Sequence, residues 1–449
     1  MRRGKKSLAL LTSAAMLMGL SVSAGTVVVN AEEETSIRFL DVSPSAARQE
    51  YYNSTFEKFE EETGIHVEYE SVPWDDASTK ISVMGTSGEL PDVITTWTGW
   101  LGQFTEAEWI VPLDDYLAGR EDEFSDIVVN ITWAGEKQSY GHIYTMPDGY
   151  TVKGVFVRKD WCEEAGIELD PDEGWTWDEY FDVCAKLTDP EKNRYGVTYR
   201  GAQGAFEPML VYMDGLTGGR TYDDEGNILI NTPEGLEYYK NWTNLYLNGY
   251  APKDSINWGF TEMVDNFTGG LTGTIINDSE VAAMCEANME DGTWMVMPIP
   301  TAVDGKIYNM TNAPYAYTIS SQSENQDAAW QLLDFLAESE NNIEYCEMGG
   351  MIPIKKDAAE DPKFGEDGSM GVFIKQLNNP NLVVPATFGQ FESTDISNGL
   401  MYEESQKYLL GQQSAEDALN NICTELEKRM KEYLVDNPGS VEQPRSMTD

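Results

Sequence analysis

The sequence predicts an α/β protein of two lobes built on doubly wound sheets, and three observations carry that expectation. Strand and helix patterns alternate from the first segments onward. Residues 32–449 exceed the roughly 250–300 residues over which one hydrophobic core keeps growing. Hydrophobic residues make up 41% of the chain and aromatic ones 11%, enough apolar surface to exclude a disordered polymer.

The first 31 residues stand apart from that pattern. Arg2, Arg3, Lys5 and Lys6 precede a mostly apolar run from Ser7 to Leu20, and Val29-Asn30-Ala31 supplies the small-residue cleavage pattern before Glu32. Thr12, Ser13 and Gly19 interrupt the run, which is shorter than the roughly 20 residues needed to span a bilayer. The expectation is a removed export signal over residues 1–31 and an extracellular or envelope-associated product. No cysteine precedes Cys162, so no lipid-attachment cysteine follows the signal.

Ile37, Phe39 and Leu40 read as a short strand ending at Asp41-Val42-Ser43-Pro44-Ser45. A helix follows, with Tyr52, Phe56 and Phe59 on one face and Gly64 as its stop. Ile65, Val67 and Tyr69 alternate with polar residues as a second strand. A helical Ala77–Met84 segment, punctuation at Gly88 and Pro91, and the strand Asp92-Val93-Ile94 complete a β-α-β-α-β series. Ligands of such sheets bind outside the carboxyl ends of the strands, here Asp41–Ser45 and Thr95–Trp100. Thr176-Trp177-Asp178-Glu179 matches a capping box, and Ser414-Ala415-Glu416-Asp417 opens the last helix in the same manner. That helix buries a stripe of Ala418, Leu419, Ile422, Leu426, Met430 and Tyr433. The tail after Asn437, with Pro438, Gly439, Ser440 and Pro444, reads as loose.

Charge and chemistry narrow the function. Against 30 basic residues stand 77 acidic ones, for a net charge of −47. That field repels nucleic acid and anionic lipid and favours a neutral or cationic ligand, although acidity also serves solubility. The five cysteines, Cys162, Cys184, Cys285, Cys346 and Cys423, form no CxxC pair. Neither a zinc site nor a disulfide framework is indicated, and an odd count leaves at least one free buried thiol. His66 and His142 are the only histidines, and His66 sits in a strand, where a structural role is expected. G-x-S-x-G, H-E-x-x-H and P-loop motifs do not occur. No catalytic residue, metal or cofactor is expected. The alternative is a secreted glycoside hydrolase with two carboxylates roughly 5–9 Å apart, but no acidic pair is singled out.

Five stretches, taken in order, carry a family resemblance. They are Phe56–Ile65 with Leu90–Ile94; Tyr144-Thr145-Met146-Pro147 before Val155–Asp160; Thr176–Glu179 before Tyr195-Gly196-Val197; Phe267–Gly270 running into Gly273–Asn277; and Ala328-Ala329-Trp330 before Gly349–Pro353. In order and spacing they resemble the family 1 extracellular solute-binding proteins of ABC importers, the maltose-binding-protein-like group. The resemblance implies two lobes joined by hinge crossings near Met146-Pro147, Met297-Pro298 and Met351. The N-terminal lobe would comprise residues 32–147 plus 299–350, and the C-terminal lobe 148–298 plus 351–449. It further implies a monomer that captures a sugar or oligosaccharide by hinge closure and delivers it to membrane permease subunits. Two departures stand out. Gram-positive members usually carry a lipidated cysteine where this chain has Thr26 and Glu32, and Asp278-Ser279-Glu280 replaces an aromatic that often follows the Ile-Asn-Gly segment.

A sugar presents flat C–H faces and a rim of hydroxyls, so its site needs rings for the faces and carboxylates or amides for the rim. Trp97 and Trp100, past the third strand, and Trp258, in a loop between Asn257 and Gly259, are the candidate platforms on opposite lobes. Asp41 and Ser43 follow the first strand, and Asn277 and Asp278 follow the Thr274–Ile276 strand. The resemblance adds Glu207, in a segment that lines the cleft of maltose binders, and Tyr150 and Tyr315, just beyond the crossings. Trp109, Trp161, Trp177 and Trp330 are assigned to packing.

Overall fold

A computed structural model describes residues 35–202, 204–309, 311–312, 315–358, 361–364, 370–386 and 399–446. The expected export signal over residues 1–31 lies outside the described residues. The strands are β1 (Ser36–Asp41), β2 (His66–Ser71), β3 (Val93–Trp97), β4 (Met146–Pro147), β5 (Thr151–Arg158), β6 (Thr274–Asp278), β7 (Trp294–Met297), β8 (Ile307–Tyr308), β9 (Thr311–Asn312), β10 (Tyr315–Ile319), β11 (Leu382–Val384) and β12 (Arg445–Ser446).

The first sheet has the order β2-β1-β3-β10-β4. β1 pairs in parallel with β2 and β3, placing Ile37 opposite Val67 and Phe39 opposite Val93. Helix Ala46–Thr63 begins at Ser45, whose side chain accepts from the Arg48 amide, and ends at Gly64 with φ 73°. That left-handed turn suits glycine because a Cβ would crowd the following carbonyl. Tyr52 and Phe56 of this helix meet Phe39 of β1 at ring-centroid distances of 4.8 and 5.0 Å. β3 runs on to Trp97, so Thr95, Thr96 and Trp97 belong to the strand and not to the turn after it. Branched threonines suit a buried pleated surface as well as valines do.

In the second sheet β5 is flanked by β6 and β7, both antiparallel to it. The parallel order expected from the sequence therefore describes β2-β1-β3, whereas the centre of the second sheet is antiparallel. A parallel bridge between Tyr195 and Thr272 adds a further segment beside β6. β6 extends to Asp278, so Asn277 and Asp278 lie in the strand that they were expected to follow. Helix Trp177–Leu187 opens with the full capping box, and Trp177, only 7% exposed, packs on Tyr180 and Tyr212.

The first crossing between the sheets falls near its expected place, and the other two do not. The chain leaves the first sheet after Pro147 and enters the second at Thr151. It does not return at Met297-Pro298. β8 pairs with β11, β9 pairs with Thr151 and Val152, and the first sheet is regained only at Tyr315. Nor does the chain pass over at Met351. Ile352 bridges Tyr150, the Ser125 amide donates to the Ile354 carbonyl at 2.9 Å, and the Lys356 amide donates to Glu123 at 3.0 Å. Helix Gly371–Leu377 then lies on β5, with the Gln376 amide donating to the Lys153 carbonyl at 2.9 Å.

Helix Ala415–Asp436 buries Ala418, Leu419, Ile422, Leu426 and Met430, with Tyr433 half-buried at its far end. The tail beyond it is not loose: Val441 is buried, and β12 pairs antiparallel with β11. All five cysteines are free and buried. Among the described residues no helix is long and apolar enough to cross a membrane.

Candidate functional site

The carboxyl ends of β2 and β3 gather an aromatic wall. Trp74 opens the helix after β2, Trp97 ends β3, Trp100 closes the next turn, and Tyr315 begins β10 beside Trp97. Trp74 stacks on Trp100 at 4.9 Å and 16°, and Trp97 meets both edge-on at 6.0 and 6.1 Å. Tyr315 meets Trp74 edge-on at 5.7 Å. Trp100 is only 6% exposed and serves as the floor of the wall, while Trp74, Trp97 and Tyr315 keep part of their surface accessible. A Cβ at Gly99 would lie 2.3 Å from the Trp97 ring, so glycine makes room for that ring. Trp74 carries the same strand-end signal as Trp97, three residues past β2, and the sequence reading passed it over.

Beneath the wall lies a buried ion cluster. Asp41 was expected at a ligand rim, but it is fully buried and its oxygens are occupied. It accepts from Arg48 at 3.1 and 3.4 Å, from the Tyr69 hydroxyl at 3.0 Å and from the Ser43 amide at 3.0 Å. Its role here is to anchor the Arg48 guanidinium, which lies 5.5 Å from the centre of the Tyr315 ring and 5.3 Å from that of Tyr345. Ser43 reaches this cluster through its backbone. Asp148, just after β4, is fully buried, accepts from the Tyr345 hydroxyl at 2.6 Å and lies 3.9 Å from Arg48. Its Oδ1 has no hydrogen-bond partner in the structure. Burial pushes the Asp148 carboxyl up to about 7, against the pull of Arg48 and the Tyr345 hydroxyl. Tyr150 is fully buried and shares a 2.7 Å hydrogen bond with Thr132, which makes it a core residue in this conformation and not a surface for ligand.

The second sheet supplies a row of charges. Lys153 of β5 stands opposite Asp278 of β6. Its ammonium donates to Asp278 at 2.9 Å and to Glu207, in the first turn of helix Phe206–Thr217, at 3.2 Å. The Lys153 side chain is 2% exposed, whereas Glu207 and Asp278 keep 35% and 18% of theirs accessible. Burial opposes charge on Glu207, but Lys153 and Arg200 outweigh it and hold the carboxyl below its usual range. Glu280 behaves oppositely: burial first, then Asp278, push it up to about 7 despite Lys153. Its charge also reaches Tyr315 of the aromatic wall. Ser279 donates to the Gly350 carbonyl at 2.7 Å, fixing this loop against the end of helix Ser339–Gly349. Asn277 is 3% exposed, and its side-chain carbonyl accepts the Asp278 amide at 2.8 Å. Trp258, the candidate platform of the other lobe, is 5% exposed, so its ring is buried here, and its carbonyl accepts the Ala202 amide at 3.1 Å.

The structure thus brings together Trp97, Trp100 and Tyr315 on one sheet, and Glu207 and Asp278 on the other. It withdraws Asp41, Tyr150 and Trp258 into packing and adds Trp74, Arg48, Asp148, Lys153 and Glu280. Among the described residues no group of three or more His, Cys, Asp or Glu side chains is placed to hold a metal ion.

Residues 43–343 match the family described as bacterial extracellular solute-binding protein. A binding protein of Brucella abortus is 23% identical over 93% of this chain and 98% of its own. An arabinooligosaccharide-binding protein of Halalkalibacterium halodurans is 21% identical over 81% of this chain and 82% of its own. Among solved structures, an ABC transporter solute-binding protein of Thermotoga lettingae bound with α-D-tagatose superposes with a TM-score of 0.73 at 22% identity, covering 88% of this chain and all (100%) of that one.

Proposed function

The chain belongs to the bacterial extracellular solute-binding protein family, and from that premise we propose that its solute is a sugar or oligosaccharide, handed on to the membrane permease of an ABC importer. Proteins of this family bind solutes for transport and are not enzymes. One observation supports the carbohydrate reading above others: partly accessible rings stand at the ends of β2, β3 and β10 of one sheet, and the Lys153–Glu207–Asp278 charges stand on the other. Rings match the C–H faces of a pyranose or furanose, and a row of charged acceptors and donors matches its hydroxyls. The names of the Halalkalibacterium and Thermotoga relatives point the same way.

In this reading Trp97, Trp74 and Tyr315 stack on the ligand from the first lobe, and Glu207, Asp278 and Glu280 bond its rim from the second. β1–β4 and β10 belong to the first lobe and β5–β7 and β9 to the second, and the chain passes from one to the other at residues 147–151. A ligand that touches both lobes binds the closed arrangement better and shifts the population toward it. The protein acts as an exported monomer. A thermal-shift screen over mono- and oligosaccharides tests the ligand class, since a ligand at 100 times its Kd adds about 2.7 kcal/mol. A midpoint raised by a peptide or an inorganic ion, with every carbohydrate inert, would overturn it.

A further inference from the structure

The segment after Asn437 joins elements that belong to different sheets. On one side Val441 is buried and β12 pairs with β11, Val383 opposite Ser446 and Val384 opposite Arg445. β11 in turn pairs with β8, and Ala386 donates to the Gly219 carbonyl at 2.8 Å at the end of helix Phe206–Thr217. That whole assembly lies with the second sheet. On the other side the Arg445 guanidinium donates to the Ile131 carbonyl at 3.1 Å and to the Gln138 side chain at 2.9 Å. Ile131 lies in the π-helical turn Ile127–Trp133, and Gln138 in the helix Ala134–Tyr140 that follows. Both are fastened to the first sheet, because the Trp133 indole donates to the Thr145 carbonyl at 3.0 Å, next to β4.

Gly135 lies against the same guanidinium. A Cβ there would lie 2.5 Å from the Arg445 Nη1. Glycine inside a helix is unfavourable relative to alanine, and its presence here leaves space for the guanidinium. Glu442 lies 3.6 Å from Arg445 and steadies it from within the tail.

We propose that residues 440–446 form a strap across the two lobes, with Arg445 as its catch, so that the lobes separate only when the Arg445 contacts to Ile131 and Gln138 are released. A two-residue strand holds the strap to the second lobe, and two hydrogen bonds from one charged group hold it to the first. The strap therefore gives before either lobe does, and it sets how readily the cleft opens. This inference rests on the two-lobe arrangement of the proposed function but not on its ligand class.

The test uses the ligand-free full chain, so it is independent of which solute binds. Small-angle scattering is compared for the parent, Arg445→Ala and Gly135→Ala. Both variants are expected to shift to a larger radius of gyration with a broadened distance distribution. Hydrogen exchange at the β12 amides should quicken about tenfold or more as the anchored end frays. Gly135→Ala is the discriminating variant, because alanine favours the helix it enters; the lobes should loosen while the thermal midpoint holds or rises. Scattering curves of Gly135→Ala that superimpose on the parent overturn the inference, as does unchanged exchange at β12 in Arg445→Ala.

Discussion

Trp97 and Trp100 are three residues apart, yet their exposures assign them different work. Trp97 keeps open surface, so Trp97→Ala should weaken carbohydrate binding by about 10- to 150-fold, the loss of about 1.5–3 kcal/mol of ring burial. Trp100, at 6% exposure beneath Trp74, and Trp177, at 7%, should instead cost stability of about 3–5 kcal/mol when cut to alanine. Titration calorimetry with unfolding curves separates the two classes; a Trp97→Ala protein that binds as tightly as the parent removes Trp97 from the site. Asp148 permits a second prediction. Its carboxyl rises to about 7 in the fold from about 4 in the unfolded chain. A raised carboxyl favours the native state most fully below the unfolded value, and that contribution is lost as pH climbs from about 4 to about 7. Glu136 and Glu280, also pushed up to about 7 chiefly by burial, act in the same direction. Asp148→Asn should therefore flatten the fall of thermal midpoint between pH 5 and 8; an unchanged slope refutes the assignment. The strand-end rule puts Trp97, Trp100 and Asp278 at or beside the ends of their strands, where the structure also has them, because those signals are local. It could not reveal that Asp41 is saturated, since Arg48 also contacts Tyr345, 297 residues away. Lys153 does leave a trace in the sequence: a lysine inside the otherwise mostly apolar strand Thr151–Arg158.

At the scale of elements, local chemistry sets where helices start. In Thr176–Glu179 the hydroxyl accepts the Glu179 amide at 3.3 Å and the Glu179 carboxylate accepts the Thr176 amide at 2.7 Å. Thr176→Ala removes the first bond together with the hydroxyl's 2.9 Å donation to the Glu179 carboxylate and should cost about 1 kcal/mol, read as a lower urea midpoint at constant slope; no change would show that the Thr176–Thr301 bridge alone fixes the helix start. Ser414 repeats the hydroxyl's part of this device with a shorter acid. Asp417 stands where the box has glutamate, and the Ser414 hydroxyl both accepts its amide at 3.0 Å and donates to its carboxylate at 2.7 Å. Such features span three or four residues, which is why the first β-α-β-α-β series and the final helix were legible. The return crossing was not, because β9 and β10 are adjacent in sequence but pair with β5 and β3. β12 escaped for the same reason: two residues hold no periodicity, and only β11, some 60 positions earlier, defines them.

The whole molecule must fold against its own charge. With 77 acidic and 30 basic residues, most carboxylates have no cation to meet, and like charges repel across the compact state. Opposing this are surface ion pairs such as Lys192–Glu164 at 2.5 Å and Lys431–Glu427 at 2.5 Å, each worth about 0–1 kcal/mol. Salt weakens both effects, so the sign of its action reports which is larger. Raising ionic strength from 0.01 to 0.15 M shortens the screening length from about 30 to about 8 Å. The pairs, in contact, lose little over that change, whereas repulsion between carboxylates farther apart than the shorter screening length is largely removed. The thermal midpoint should therefore rise with sodium chloride. Sodium sulfate should raise it further, because sulfate is excluded from apolar surface and strengthens burial as well as screening. Differential scanning fluorimetry at 0.01 and 0.15 M salt decides the matter. A midpoint that falls would mean that local pairs outweigh the net charge of −47, and that the acidic surface is balanced region by region and does not strain the fold.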